Sequence, residues 1–359
     1  MKILTILGAR PQFIKAAAVS RAFAKVPEIT ELVVHTGQHF DSNMSGIFFD
    51  ELEIPEPDYR LEINSLSHGA MTGRMMERIE EVILAENPDR VMVYGDTNST
   101  LAGALAARKL QVDVIHIEAG LRSFDMAMPE EINRILTDRI SSVLYCPTDT
   151  AVANLQREGF DDYECRIVLS GDVMEDAARY YAGLARERST ILSDLELAGE
   201  SYLLCTLHRA ENTNDPVRLG ELVAGLNTLS ENHTIVMPLH PRTKAALEKQ
   251  KLTLNVELID PVGYLDMITL LAGASVVLTD SGGLQKEAYF FDSYCLTMRD
   301  QTEWVELVDH GFNVLVGADQ TKLVNEVERL INKPFLRTVE LYGGGTAAAK
   351  IAADVLANA

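Results

Sequence analysis

Met1-Lys2-Ile3-Leu4-Thr5-Ile6-Leu7-Gly8 opens the chain, and Ala9-Arg10-Pro11-Gln12-Phe13-Ile14-Lys15 follows at once. A short apolar run, a glycine, and then a proline-led amphipathic stretch read as a strand turning into a helix. The apolar core is too short for a secretory signal, and Arg10 and Lys15 stand where a cleavage region belongs. The same pattern recurs at residues 32–35, 91–94, 114–117 and 143–146, with helical patterns between. One of these is 73–85, which places Met76, Ile79, Ile83 and Leu84 on one face. Strands apolar throughout are expected where helices cover both faces of a sheet. The first part of the chain is therefore expected to be a parallel, doubly wound α/β domain.

After Gly171 the pattern restarts, with strands expected at 203–207, 235–239, 256–259, 276–278, 296–298 and 314–316. Residues 186–200 read as a helix and a loop. Gly343-Gly344-Gly345 suits a sharp turn before an alanine-rich last helix. The expected organisation is one Rossmann-like domain over 1–168 and a second over 169–345. The helix in 346–359 is expected to return to the first domain. Two such domains facing each other make a cleft at the carboxyl ends of both sheets.

Composition narrows the function. The chain has 359 residues, 47% hydrophobic and 24% charged, which excludes disorder. A formal net charge of −21 disfavours nucleic acid and anionic lipid as partners. No apolar run approaches the roughly 20 residues of a bilayer span. Cys146, Cys165, Cys205 and Cys295 are scattered, suggesting neither a zinc site nor a disulfide framework but the reduced thiols of a cytoplasmic protein.

Polar residues gather where the expected strands end. Arg10 and Lys15 follow the first glycine turn and suit a phosphate or carboxylate. Tyr94-Gly95-Asp96-Thr97-Asn98-Ser99-Thr100 ends a strand in a carboxylate, whose structural alternative is a helix cap. Glu118-Ala119-Gly120-Leu121-Arg122 ends the next, the alternative being a Glu118–Arg122 pair. Pro129-Glu130-Glu131-Ile132-Asn133-Arg134 starts a helix, where negative charge is favourable in itself. Three carboxylates together raise one another's pKa and supply both proton donor and acceptor. Oxygen ligands also suit Mg²⁺, but nearby basic residues and the lack of metal-ligand spacing argue against a metal.

His208-Arg209 and His240-Pro241-Arg242 follow strands of the second half, and such histidines serve as phosphate donors or acid/base groups. In Leu278-Thr279-Asp280-Ser281-Gly282-Gly283-Leu284-Gln285-Lys286-Glu287 a strand runs through Ser-Gly-Gly into a helix. Backbone N–H groups there suit a diphosphate, and Glu287 suits ribose hydroxyls. No GxGxxG follows the first strand, so a dinucleotide cofactor is not expected.

In this order these motifs resemble the non-hydrolysing UDP-N-acetylglucosamine 2-epimerases over essentially the whole chain. The resemblance implies the two-domain glycosyltransferase family B fold, a homodimer, and no metal or nicotinamide cofactor. It implies C2 inversion of a UDP-linked 2-acetamido sugar, by anti elimination of UDP and re-addition. Asp96, Glu118, Glu130 and His208 match the family's catalytic residues. Arg10, Lys15, His208, Ser281, Gly282, Gly283 and Glu287 match its nucleotide-sugar contacts.

Departures narrow the substrate. Trp304 stands where the UDP-N-acetylglucosamine enzymes carry a sugar-contacting arginine. Phe40 and Ala210 stand where bacterial relatives often carry arginines for a second, activating nucleotide sugar. Gly37-Gln38-His39-Phe40-Asp41, Arg299-Asp300-Gln301-Thr302-Glu303-Trp304-Val305-Glu306-Leu307 and Tyr342-Gly343-Gly344-Gly345 resemble the UDP-2,3-diacetamido-2,3-dideoxyglucuronate 2-epimerases. These make the mannuronate form for surface polysaccharide. Arg74 and Arg242 are candidates for the C6 carboxylate. The competing readings are a UDP-N-acetylglucosamine 2-epimerase, a family B glycosyltransferase and a silent nucleotide-sugar sensor.

Overall fold

The computed structural model describes residues 1–38 and 52–358. His39, Phe40 and Asp41 of the specificity motif lie outside the described residues. The chain forms two compact units, one of residues 1–177 with 340–359 and one of residues 178–339. The division falls within the helix Val173–Arg188.

Among the described residues the first unit contains seven strands: β1 Lys2–Leu7, β2 Thr30–His35, β3 Tyr59–Arg60, β4 Arg90–Tyr94, β5 Asp113–Ile117, β6 Val143–Cys146 and β7 Arg166–Leu169. Their order is β3-β2-β1-β4-β5-β6-β7, all parallel. The second unit contains six: β8 Tyr202–Thr206, β9 Thr234–Pro238, β10 Glu257–Ile259, β11 Val276–Thr279, β12 Tyr294–Thr297 and β13 Asn313–Leu315. These run in the order β10-β9-β8-β11-β12-β13, again all parallel.

The apolar runs became strands because helices cover both faces. Ile3, Leu4 and Ile6 of β1 are fully buried, as are Val91, Met92 and Val93 of β4. Two strands, β3 and β7, were not expected from sequence, although β7 carries the short apolar run Ile167-Val168-Leu169. Both β3 and β7 are sheet edges, where less is covered and no apolar run is required; Leu169 is exposed. One helix face also differs from expectation. In His68–Glu86 the buried stripe is Met71, Met75, Ile79, Val82 and Ile83, while Leu84 is exposed. Leu84 lies one residue, about 100° of turn, beyond Ile83 and rotates off the core.

In each sheet the chain winds outward from one strand and then returns to its other side. The reversals fall between β1 and β4 and between β8 and β11. Loops leaving such strand pairs diverge to opposite faces and open a crevice at the carboxyl edge.

Gly343, Gly344 and Gly345 take φ of 93°, 66° and 76°, a left-handed run that side chains resist. The turn delivers the helix Ala347–Ala357 to the first unit, against the helix Arg10–Phe23. Asp176 receives its first N–H groups, from Ala347 at 3.1 Å and Ala348 at 2.9 Å. Farther along, Asp354 accepts from Tyr145 Oη at 2.6 Å and from Arg166 Nη1 at 3.0 Å. Ile351 and Val355 are fully buried. Ile351→Ala is expected to cost the first unit about 2–5 kcal/mol, read as a lowered urea midpoint. An unchanged midpoint would show that this helix carries no stability.

Candidate active site

The first unit gathers its polar groups at the β1/β4 reversal. Gln12, buried, stitches the two loops there. Its carbonyl accepts from Gly8 N at 2.7 Å and Ala9 N at 3.0 Å. Its amide donates to Tyr94 O at 2.7 Å and Thr100 Oγ1 at 2.9 Å. A Cβ on Gly8 would overlap Ser99 Oγ and Thr36 Oγ1, so this turn requires glycine. Arg10 is the exposed first residue of its helix. Lys15, less than two turns on, donates to Glu118 in a nearly buried ion pair.

Glu118 has φ of 71°, a strained conformation for a non-glycine residue and one that concentrates at functional positions. Its carboxylate lies against Gly95, 3.3 Å from where a Cβ would stand there, so it adjoins the loop carrying Asp96. The Glu118–Arg122 pair weighed from sequence does not form. Arg122 instead pairs with Asp138 at 2.7 Å and Glu158 at 2.7 Å.

Asp96 is not the helix cap either, since Thr97 accepts from Thr100 N at 3.3 Å. Asp96 Oδ2 pairs with Arg134 Nη2 at 2.5 Å. Burial pushes the Asp96 carboxyl above the ordinary range, the Glu118 charge adds to this, and Arg134 opposes it.

The helix Pro129–Ile140 serves this loop through residues that sequence reading did not single out. Asn133 Nδ2 donates to Asp96 O at 2.9 Å. Glu131, buried, accepts from Ser123 N and Phe124 N, each at 2.9 Å, and from Arg134 at 2.9 Å. Glu130, the candidate, is exposed on the first turn and paired with no side chain among the described residues. The spacing of Glu131, Asn133 and Arg134 was visible in the motif. Which of two adjacent glutamates turns inward was not.

The second unit is organised around Asp280, fully buried after β11. It accepts from His208 N at 3.1 Å, Arg209 N at 2.9 Å and Asn212 Nδ2 at 3.2 Å, bridging the β8/β11 reversal. Its Oδ1 also stands 3.4 Å from His208 Nδ1. Burial holds the half-exposed His208 imidazole below its ordinary pKa, with Asp280 pulling the other way. The second histidine has a local role: His240 caps the helix Pro241–Gln250, accepting from Arg242 N at 3.1 Å. Arg242 donates to His208 O at 3.0 Å, whereas Arg74 lies on an exposed helix face beside Glu77 at 2.8 Å.

Ser281 is the N-terminal flank of the helix Gly282–Phe290. Gly282 is buried and a Cβ on it would overlap Glu303 Oε1, while a Cβ on Gly283 would meet nothing. The turn thus packs tightly behind and opens in front, where the first N–H groups of a helix lack intrahelical partners. Glu287, buried on the same helix, accepts from Tyr264 Oη at 3.0 Å. Burial and the Glu287 charge push the Tyr264 phenol well up, so it remains the donor.

Trp304 supports this turn from behind. Its indole is buried, and Nε1 donates to Gly282 O at 2.9 Å. Lys286 Nζ sits 3.9 Å from the ring centroid, a cation–π distance. Ala210 is the exposed first residue of a short helix, Ala210–Thr213. Among the described residues, no three His, Cys, Asp or Glu side chains are grouped to hold a metal, and no helix is long and apolar enough to cross a membrane.

Comparison with known proteins places this geometry. The family model for UDP-N-acetylglucosamine 2-epimerase matches residues 21–356. A UDP-2,3-diacetamido-2,3-dideoxy-D-glucuronate 2-epimerase of Pseudomonas aeruginosa is 58% identical over 354 residues, 98% of each chain. The crystal structure of Methanocaldococcus jannaschii UDP-GlcNAc 2-epimerase in complex with UDP-GlcNAc and UDP superimposes with a TM-score of 0.87 at 43% identity, covering 100% of both chains. A UDP-GlcNAc 2-epimerase from Neisseria meningitidis, bound to UDP-GlcNAc, gives a TM-score of 0.87 at 31% identity, again over 100% of both. The fold class expected from sequence, two Rossmann-like units of the glycosyltransferase family B type, is the one this chain has.

Arg134 holds the Asp96 carboxyl down against burial. Its removal in Arg134→Gln is expected to move the Asp96 titration to higher pH, followed by ¹³C NMR of the carboxyl carbon. A titration that stays in place or moves lower would contradict this account of the pair.

Proposed function

Because the chain belongs to the UDP-N-acetylglucosamine 2-epimerase family, we propose that it inverts C2 of UDP-2,3-diacetamido-2,3-dideoxy-D-glucuronate. The product is the mannuronate form, used for surface polysaccharide. The observation that carries the substrate is 58% identity over 98% of both chains with a relative of that name. The three motifs around Phe40, Trp304 and Gly343 support the same branch.

In this reading the C2–H bond breaks toward a protein base while the C1–O bond breaks and UDP departs with the electron pair. A 2-acetamidoglucal remains, and UDP adds back after a proton returns to the opposite face of C2. C2 regains its original oxidation level, so no hydride acceptor takes part. Asp96, Glu118 and Glu130 supply the donor and acceptor groups. A carboxyl raised by burial, as Asp96 is, holds a proton closer to neutral pH and so suits proton transfer.

The departing diphosphate develops charge, and preorganised donors are what stabilise it. Ser281, Gly282, Gly283 and the helix they begin take this role, with His208, Arg10 and Lys15 as further anion partners. Glu287, oriented by Tyr264, receives the ribose hydroxyls. Trp304 acts on recognition through the Gly282 carbonyl that it holds. The working form is a homodimer, as the family resemblance implies. Buried thiols at Cys146, Cys205 and Cys295 suit a cytoplasmic setting.

Incubation in D₂O with the diacetamidoglucuronate and with UDP-N-acetylglucosamine, side by side, tests the proposal. The uronate is expected to epimerise and to take up deuterium at C2. Comparable turnover of UDP-N-acetylglucosamine would overturn the substrate. Release of UDP without C2 exchange in either sugar would favour a transferase and overturn the epimerase.

A further inference from the structure

His116 lies inside β5 with no solvent exposure, and the chemistry above does not use it. Its Nδ1 is 2.7 Å from Asp138 Oδ1, and its Nε2 is 2.7 Å from Gly95 O. A neutral imidazole has one N–H and one lone pair, so it donates to one neighbour and accepts from the other. Here both neighbours accept. A carbonyl oxygen cannot donate, and Asp138 is committed as an anion on its far side. Its Oδ2 accepts from Arg122 Nη1 at 2.7 Å and from Gly120 N at 3.2 Å. His116 and Arg122 together hold the Asp138 carboxyl below its ordinary range, against burial. Both ring nitrogens of His116 therefore carry hydrogen.

A buried imidazolium is costly unless it is compensated. Here the charges close. Arg122 turns Nε and Nη2 to Glu158, at 2.7 Å and 2.9 Å, so two cations face two anions. The positions that this set grips are informative. Gly95 immediately precedes Asp96, and Gly120 lies two residues after Glu118. The backbone on either side of the two carboxylates is tied to one rigid centre.

We infer that His116 is a positioning residue with hydrogen on both ring nitrogens, which through Asp138 fixes the loop carrying Asp96 against the loop carrying Glu118. This rests on the assignment of Asp96 and Glu118 to proton transfer at C2. Misplacing such a group by about 1 Å can cost roughly 100-fold in rate, while nucleotide binding by the second unit is left alone.

Asp138→Asn separates charge from position. The asparagine amide can donate to Nδ1, its carbonyl can accept from Arg122 and Gly120, and a neutral His116 keeps Nε2–H on Gly95 O. His116→Gln keeps only one of the two bridging contacts, because its amide hydrogens cannot point in opposite directions.

The test combines ¹⁵N NMR of the histidine side chains with steady-state kinetics on the full chain. In the wild type, the His116 nitrogens are expected to report the doubly protonated ring that its two acceptor neighbours require. In Asp138→Asn they are expected to switch to the neutral Nε2–H form, with kcat retained within about tenfold. His116→Gln is expected to lose about 100-fold in kcat, with KM and UDP affinity within about threefold. A neutral imidazole in the wild type would overturn the inference, however the variants fold. So would a folded His116→Gln with kcat near wild type. A wild type that exchanges no C2 proton in any UDP-acetamido sugar would instead sink the function proposed above and leave the NMR result standing.

Discussion

A parallel strand that reaches the carboxyl edge of its sheet leaves backbone groups without ladder partners, and this molecule satisfies them with buried side chains. Gln12, Asp138 and Asp280 do this work. Each accepts from backbone N–H groups of a loop at a strand end, and each reaches a second such loop directly or through one neighbour. An unpaired buried N–H costs about 1–3 kcal/mol. The loops therefore have one low-energy arrangement, and the partly buried groups they carry inherit its precision. Lys15, Asp96 and Glu118 depend on the first two stitches, and His208 and the Ser281 turn on the third.

The two units apply this constraint to different chemistry. In the first, the stitched loops end in carboxylates whose charge is balanced by Lys15 and Arg134, and burial lifts Asp96 toward the range where protons exchange. In the second, the stitched loops end in a histidine and a glycine turn, which present donors. Such a division suits a reaction in which a proton moves at one carbon and a diphosphate leaves from the next. It also reconciles the net charge of −21 with an anionic substrate, because the positive groups are local.

Much of this was legible in the sequence, for a physical reason. Strands buried on both faces must be apolar throughout, so β1, β4, β5, β6, β8 and β11 announced themselves. The edge strands β3 and β7 did not: β3 is two residues long, and the run Ile167-Val168-Leu169 of β7 is short and only partly covered. The glycine turns after β1 and β11 and the acidic residues after β4 and β5 were legible as strand-end chemistry. Partnerships were not. Glu118, whose structural alternative was a pair with Arg122, meets Lys15; Trp304, a specificity marker in place of the relatives' arginine, holds the Gly282 carbonyl. Each depends on which side of a turn faces inward, information that sits many residues away. His116 was hidden in plain view, as a polar residue within an apolar run.

Central to the account is that UDP leaves the sugar and is held by the second unit while C2 changes hand. Oxygen-18 placed in the bond between C1 and the diphosphate tests this directly. If UDP departs and returns, its terminal phosphate can turn, and the label is expected to spread from the bridging to the non-bridging positions during epimerisation. Full inversion at C2 with the label still entirely in the bridge would contradict the account.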